Sequence, residues 1–142
     1  MKTILIVGAG NIAYFYVLAI LAIKLKIQII IYDNKKSQII KFKRRLNKKI
    51  SNIIFTDNIK KNSHDIDLAV ISTTSTNRVL IVTKLIKLLK IKNFLIEKVV
   101  EQSVRNLNIL KKISKKKKIF VSLPRRCSKF YQYLKKKKKK KL

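Results

Sequence analysis

Gly8, Ala9, Gly10, Asn11, Ile12 and Ala13 form a G-x-G-x-x-A run that contains both glycines of the 142-residue chain. A short apolar, strand-like run (3–7) precedes it and a helix-length apolar run follows. At such a junction the first glycine permits a tight strand-to-helix turn, and the second removes the Cβ that would block a ligand from the main chain. The third position needs a small residue, and alanine is accepted there. The N–H groups that open the helix then combine with the positive end of its dipole, which suits a diphosphate. A composition this poor in glycine keeps it where no other residue fits. Asp33 lies twenty residues after Ala13, at the end of a second apolar run (26–32). That is the spacing of an acid that accepts the ribose hydroxyls of an adenine dinucleotide. Glycines, helix and acid in this order read as binding of NAD or NADP through Gly8, Gly10, Asn11, Ile12 and Asp33. A tight turn plus a helix-capping acid is the plainer alternative. Asp33 favours NAD, but Lys35 and Lys36 just beyond it could pair with a 2′-phosphate, so NADP stays open.

The elements that must position these residues follow from periodicity. Continuous apolar runs at 3–7, 26–32, 67–72, 93–97 and 118–122, with a shorter one at 52–55, have the pattern of strands covered on both faces. Helix-length segments at 11–24, 35–49, 76–90 and 103–115 lie between them. The segment 76–90 carries Val79, Val82, Leu85, Ile86 and Leu89 on one face, and 35–49 carries Ile39, Ile40, Phe42 and Leu46 among charges. Residues 58–65 read as a loop, Pro124 as a turn, and 128–134 as a short helix. Strands alternating with helices predict an α/β fold: a mostly parallel, doubly wound sheet with helices on both faces, in three layers. One domain is expected over 1–134, followed by a lysine-rich tail over 135–142.

Bulk properties exclude several classes. The chain has 36 Lys+Arg against 6 Asp+Glu, a formal net charge of +30. Such a balance suits nucleic acid or an anionic surface. The accompanying excess of Ile, Asn and Lys, and the scarcity of Gly, Pro, Ala and Trp, instead match the drift of an AT-rich genome, and this is the preferred reading. No specific nucleic-acid partner is therefore expected. Cys127 is the single cysteine, so neither an intrachain disulfide nor a thiolate zinc cluster is expected, and a reducing cytoplasm is the expected location. His64 is also alone and stands in a polar stretch, so no metal site is expected. The apolar run 12–23 is shorter than the ~20 residues of a membrane span. It reads as a buried helix.

Beyond the glycine turn, "DLAVISTTSTNR" (67–78), "NFLIEKVVEQ" (93–102) and "IFVSLPRRCSKFYQYLK" (119–135) follow at intervals that resemble the N-terminal Rossmann domain of the Gfo/Idh/MocA family. The likeness covers the chain up to the lysine tail. The resemblance implies that Ser72, Thr73 and Thr74, in the turn after the fourth strand, touch the cofactor. It places a Glu-Lys pair, Glu97 and Lys98, at the end of the fifth strand, with Glu97 among the cofactor-binding residues. In the family that lysine lies beside nicotinamide and substrate, binds the reacting hydroxyl and assists its proton transfer. Val99 stands where the family usually has proline, a mark of members from surface-polysaccharide gene clusters. Arg125 and Arg126 match a basic pair near the substrate. A lysine desolvated beside a cationic ring can have its pKa lowered towards neutrality, the value a general base needs.

Two departures stand out. Tyr14, Phe15 and Tyr16 are bulky where family members have small or polar residues, so they either pack in the core or crowd the cofactor. The chain also stops where the family's α+β substrate domain begins, beside a lysine run of the kind on which reading frames slip, so a truncated or frameshifted member is expected. Oligomerisation is expected only if a second domain exists. The expected function is an NAD(P)-dependent oxidoreductase domain acting on a sugar or sugar-nucleotide hydroxyl in surface-polysaccharide metabolism. A non-catalytic dinucleotide-binding module and a charge-driven nucleic-acid or anionic-surface binder are the alternatives.

Overall fold

Among the described residues, six apolar runs become six strands: β1 (Lys2–Val7), β2 (Ile27–Tyr32), β3 (Ile53–Thr56), β4 (Ile66–Ile71), β5 (Ile91–Glu97) and β6 (Lys118–Ser122). The computed structural model describes residues 1–46, 50–61 and 65–133, with the backbone alone at Lys61, Arg126 and Cys127. The strands form one sheet in the order β3-β2-β1-β4-β5-β6, with every neighbouring pair parallel. The sheet expected to be mostly parallel is thus wholly so. Parallel strands need long crossovers, and four helices supply them: α1 (Asn11–Ala22), α2 (Lys36–Leu46), α3 (Arg78–Leu88) and α4 (Val104–Ser114). Single 3-10 turns occupy Ile59–Lys61 and Pro124–Cys127, and residues 129–133 form a short helical turn.

The core consists of two layers separated by the sheet. Leu5, Val7, Ile30, Ala69, Ile71, Phe94 and Ile96 point to one face, where Val79, Val82 and Leu85 of α3 and Leu110 of α4 cover them. Ile6, Ile29, Ile31 and Val70 point to the other, against Ala13, Val17 and Ile20 of α1 and Phe42 and Leu46 of α2. Helices α1 and α2 follow strands on the β1–β2–β3 side and so cover that half of their face. Leu68 and Leu95 pack only partly against this cluster, and Phe120, opposite Leu95, is 55% exposed. With Lys2, Ile4, Asp67 and Asn93 they line an open groove on the β4–β5–β6 half.

This arrangement corrects one expectation. The apolar run of α1 is not a helix buried all round: Ala13, Val17 and Ile20 are buried, while Ile12, Phe15 and Leu18 are exposed. A uniformly apolar helix hides which face is covered, because periodicity vanishes when both faces are apolar.

Boundaries shift for identifiable reasons. α1 ends at Ala22 because Lys24 takes a left-handed conformation (φ 56°), the position helices usually end on with glycine. Asn77, also left-handed (φ 63°), delays the start of α3 to Arg78. β5 begins at Ile91, two residues earlier than periodicity suggests, because Ile91 pairs with Ile66 and the Lys92 ammonium meets the Asp67 carboxylate at 2.8 Å. Asp67 also accepts from the main chain of Thr3 (3.0 Å) and from Lys2 (3.4 Å). The hydrogen bond from Lys92, then that from Thr3, hold its carboxyl well below the usual range. The expectations for residues 47–49, for His64 and for the lysine tail fall outside the described residues.

Candidate dinucleotide site

A parallel sheet ends all its strands on one edge, and open α/β sheets bind ligands beyond the carboxyl ends of their strands. Gly8, Asp33, Ser72, Thr73, Thr74 and Lys98 all lie in the turns leaving that edge. β1 passes through Gly8 and Ala9 into α1. Gly8 has φ +97°, and a Cβ there would stand 3.1 Å from the Thr73 main-chain nitrogen and from Thr73 Cγ2. The turn therefore requires glycine for both conformation and close packing. Gly10 is different: its φ is −94°, and a Cβ would meet nothing within 4 Å. Gly10 leaves space open directly at the α1 N-terminus, where the N–H groups of Asn11 and Ile12 have no carbonyl one turn earlier to bond. This is the cradle that a diphosphate needs.

Asp33 follows β2 beside the turn. Its carboxylate accepts from Ala9 N (2.8 Å) through one oxygen and from Lys35 N (2.9 Å) through the other. Gly8 N also donates to Tyr32 O at 2.8 Å, so the ends of β1 and β2 are tied together. A cavity of about 200 Å³ opens next to them, lined by Gly8, Asp33, Thr73, Ile81, Lys84 and Leu85 among others. An acid at one wall and apolar side chains of α3 at the other suit a ribose and a flat heterocycle.

Ser72 and Thr73 follow β4 directly. Ser72 is buried, and its hydroxyl lies 2.9 Å from Val7 O and 3.2 Å from Gly8 O, so it braces the glycine turn from within. Thr73 packs against Gly8, and Thr74 is exposed on the rim. On the far side, Glu97 accepts from the Tyr16 hydroxyl, which is also 2.9 Å from Ser122 Oγ. Burial first, then the Glu97 hydrogen bond, pushes the Tyr16 phenol up to about 12. Lys98 is exposed at the end of β5 and has no hydrogen-bond or ion-pair partner among the described residues. Arg125 is exposed beyond β6, and the Arg126 side chain lies outside the described residues.

The bulky trio of α1 is now accounted for. Tyr14 packs edge-on against Phe42 with the Arg45 guanidinium 4.0 Å from its ring centroid, and Arg45 also donates to the Asn11 side chain at 2.6 Å. Tyr16 reaches Glu97, and Phe15 faces solvent at 60% exposure.

Two residues escaped sequence reasoning. Arg78 is 4% exposed at the start of α3, and its guanidinium donates to the main chain on both sides of the site, to Thr73 O (3.1 and 2.5 Å), Glu97 O and Val99 O (2.5 Å). Its spacing from Val82 and Leu85 placed it on the buried stripe, a readable signal. Glu101 is 6% exposed and accepts from Val79 N (3.3 Å) and Gln102 N (2.9 Å), which caps α3 from a distant loop. Burial pushes its carboxyl up, but donors from Gln102, Val79, Asn106 and Ser103 outweigh this and leave it below the usual range.

The Glu101 carboxylate has a testable pH signature. Because folding lowers its pKa, its contribution is present above the unfolded value of about 4.3 and is lost as pH falls through the lower folded value. Glu101→Gln should cost about 1–2 kcal/mol at neutral pH, from weakened bonds to the Val79 and Gln102 amides. The gap to the parent should close in acid. Urea midpoints measured at neutral and acid pH check both halves.

A profile of the oxidoreductase family with an NAD-binding Rossmann fold matches residues 2–124. The chain belongs to the Gfo/Idh/MocA family. This Gfo/Idh/MocA chain is similar in fold to the WlbA dehydrogenase from Bordetella pertussis in complex with NADH and UDP-GlcNAcA, with a TM-score of 0.78 and 14% identity over 98% of this chain and 40% of that one. It is similar to myo-inositol 2-dehydrogenase from Lactobacillus plantarum, with a TM-score of 0.74 and 17% identity over 95% and 40% of the two chains. It is also similar to the transcriptional regulator Gal80p from Kluyveromyces lactis, with a TM-score of 0.74 and 20% identity over 90% and 34%. It thus spans 34–40% of the length of these three chains. No curated protein sequence matches it significantly. As a Gfo/Idh/MocA Rossmann domain it belongs to an NAD-binding oxidoreductase family, and the open space over Gly10 beside Asp33 fits that cofactor. Among the described residues no helix is long and apolar enough to cross a membrane.

Proposed function

We propose that this chain is the dinucleotide-holding part of an NAD(P)-dependent dehydrogenase acting on a hydroxyl of a sugar or sugar nucleotide. The observation that carries the reading is the open approach to Gly10, flanked by the Asp33 carboxylate and the cavity beside it. Asn11 and Ile12 would meet the diphosphate, Asp33 the adenosine ribose, and Thr73 and Thr74 the rim beyond it. Bound there, a nicotinamide ring supplies the hydride acceptor or donor. Lys98 Nζ holds the reacting hydroxyl and takes its proton, with Arg125 and Arg126 on the substrate side. Glu97, held by Tyr16, anchors the strand end that carries Lys98. NAD is preferred over NADP, because the Asp33 carboxylate repels a 2′-phosphate. The sugar class rests on the WlbA and inositol dehydrogenase likenesses and on the Lys-Val and Pro-Arg-Arg pattern.

Titration with NADH and NADPH, followed by turnover on a panel of sugars and uridine-diphosphate sugars, tests this reading. Lys98→Ala should lower turnover by about 100-fold or more while changing the NADH dissociation constant little, since general acid–base assistance is worth 10²–10⁴. An unchanged rate would remove Lys98 from the chemistry.

A second reading is a dinucleotide-binding module without chemistry. The likeness to Gal80p, described as a transcriptional regulator, favours it. Tight NADH binding without turnover on any substrate would support it.

A further inference from the structure

We propose that Arg78 is a positioning residue for this site: its guanidinium holds the turn after β4 against the turn after β5, and so sets the point from which Lys98 projects. The inference rests on the reading of Lys98 given above. A cation on the buried stripe of a helix, one turn before Val82, stands where an aliphatic side chain would pack at no desolvation cost. Among the described residues no carboxylate forms an ion pair with it. Burial accordingly lowers its proton affinity, while the charges of Glu97 and Glu101 act in the opposite direction. What it has gained instead is three main-chain carbonyls from two separate turns: Thr73 on one side, Glu97 and Val99 on the other. Lys98 lies between the last two. Carbonyls at the ends of strands have no ladder partner and need a donor. One planar fork with donors on three nitrogens supplies all three at once. An ammonium, with its donors on a single atom, cannot span the same points.

The test uses the full chain and its Arg78→Lys variant. Peptide-resolved amide hydrogen exchange should accelerate together in 72–76 and 97–101, by about tenfold, while the β1 core at 4–7 keeps its protection. Acetylation of Lys98, read by mass spectrometry at saturating NADH, supplies the positional readout. NADH should shield Lys98 in the parent and shield it several-fold less in Arg78→Lys. A variant that only loosened the fold would instead raise exchange throughout the sheet. Such a uniform rise, unchanged exchange at either turn, or equal shielding of Lys98 overturns the proposal. If Arg78→Lys does not fold, Arg78→Met with dilute, non-denaturing guanidinium replaces it; slowed exchange at both turns supports the role, and no response overturns it. A parent that binds no dinucleotide yet shows the paired exchange response would sink the functional reading and leave Arg78 as the clamp between the two turns.

Discussion

Gly10→Val should leave the protein folded and abolish most of its affinity for NADH, whereas Gly8→Val should unfold it. The two positions are separated by one residue, but the main chain differs at each. At Gly10 the conformation is one that any residue adopts, and a Cβ projects into open space. The fold therefore loses only the preference of a helix N-cap for glycine over valine, about 1 kcal/mol or less. The space it fills is the space a diphosphate would need. Affinity should fall by about 100-fold or more, equivalent to about 2.7 kcal/mol. At Gly8 the left-handed conformation alone costs an L-residue about 1–3 kcal/mol. The Cβ would also press on the Thr73 main chain at 3.1 Å, where nothing flexible can yield. Calorimetric melting and fluorescence titration with NADH on both variants separate the effects. A Gly10→Val variant that binds NADH like the parent would show that the diphosphate does not lie on this turn.

Phe94→Ala should cost about 3–5 kcal/mol of stability. Phe94 is wholly buried on β5, flanked in register by Ala69 and Ile119, and belongs to the layer under α3 and α4. Its small neighbour Ala69 cannot close the cavity that truncation leaves. A domain with ordinary stability of 5–15 kcal/mol would be left marginal. With a urea m-value of about 2 kcal/mol/M, the midpoint should fall by about 2 M at unchanged m. Phe94→Leu keeps most of the volume and should cost less than half as much. Both variants, while folded, should bind NADH as the parent does, because Phe94 lies within the sheet and the site at its edge.

The strands were legible because a parallel sheet covered on both faces demands continuous apolar runs, and 3–7, 26–32 and 67–72 are such runs. The glycine turn was legible because its geometry admits so few residues. Asp33 was legible as a spacing, though not as the acceptor of the Ala9 N–H. What sequence order hides is pairing over long separations. Tyr16 and Glu97 are 81 residues apart, and nothing local to either announces the other. Glu101 looks like a surface charge until topology buries it, whereas the spacing of Arg78 from Val82 and Leu85 was a local signal. Four of the six acids in the chain (Asp33, Asp67, Glu97 and Glu101) accept hydrogen bonds that fasten elements together. In so basic a chain the surviving acids were better pointers to such positions than any of the lysines. The exposed face of α1 was illegible for a different reason: an all-apolar helix carries no phase.

The two N–H bonds on Asp33 bear on how a nucleoside is received. A carboxylate on a free rotor must be frozen each time a ligand arrives, and every freezing weakens the complex. Here Ala9 and Lys35 have already stilled that rotor as the polypeptide collapses. The entropic toll is levied on folding, and a ribose bound as proposed would find its acceptor already aimed.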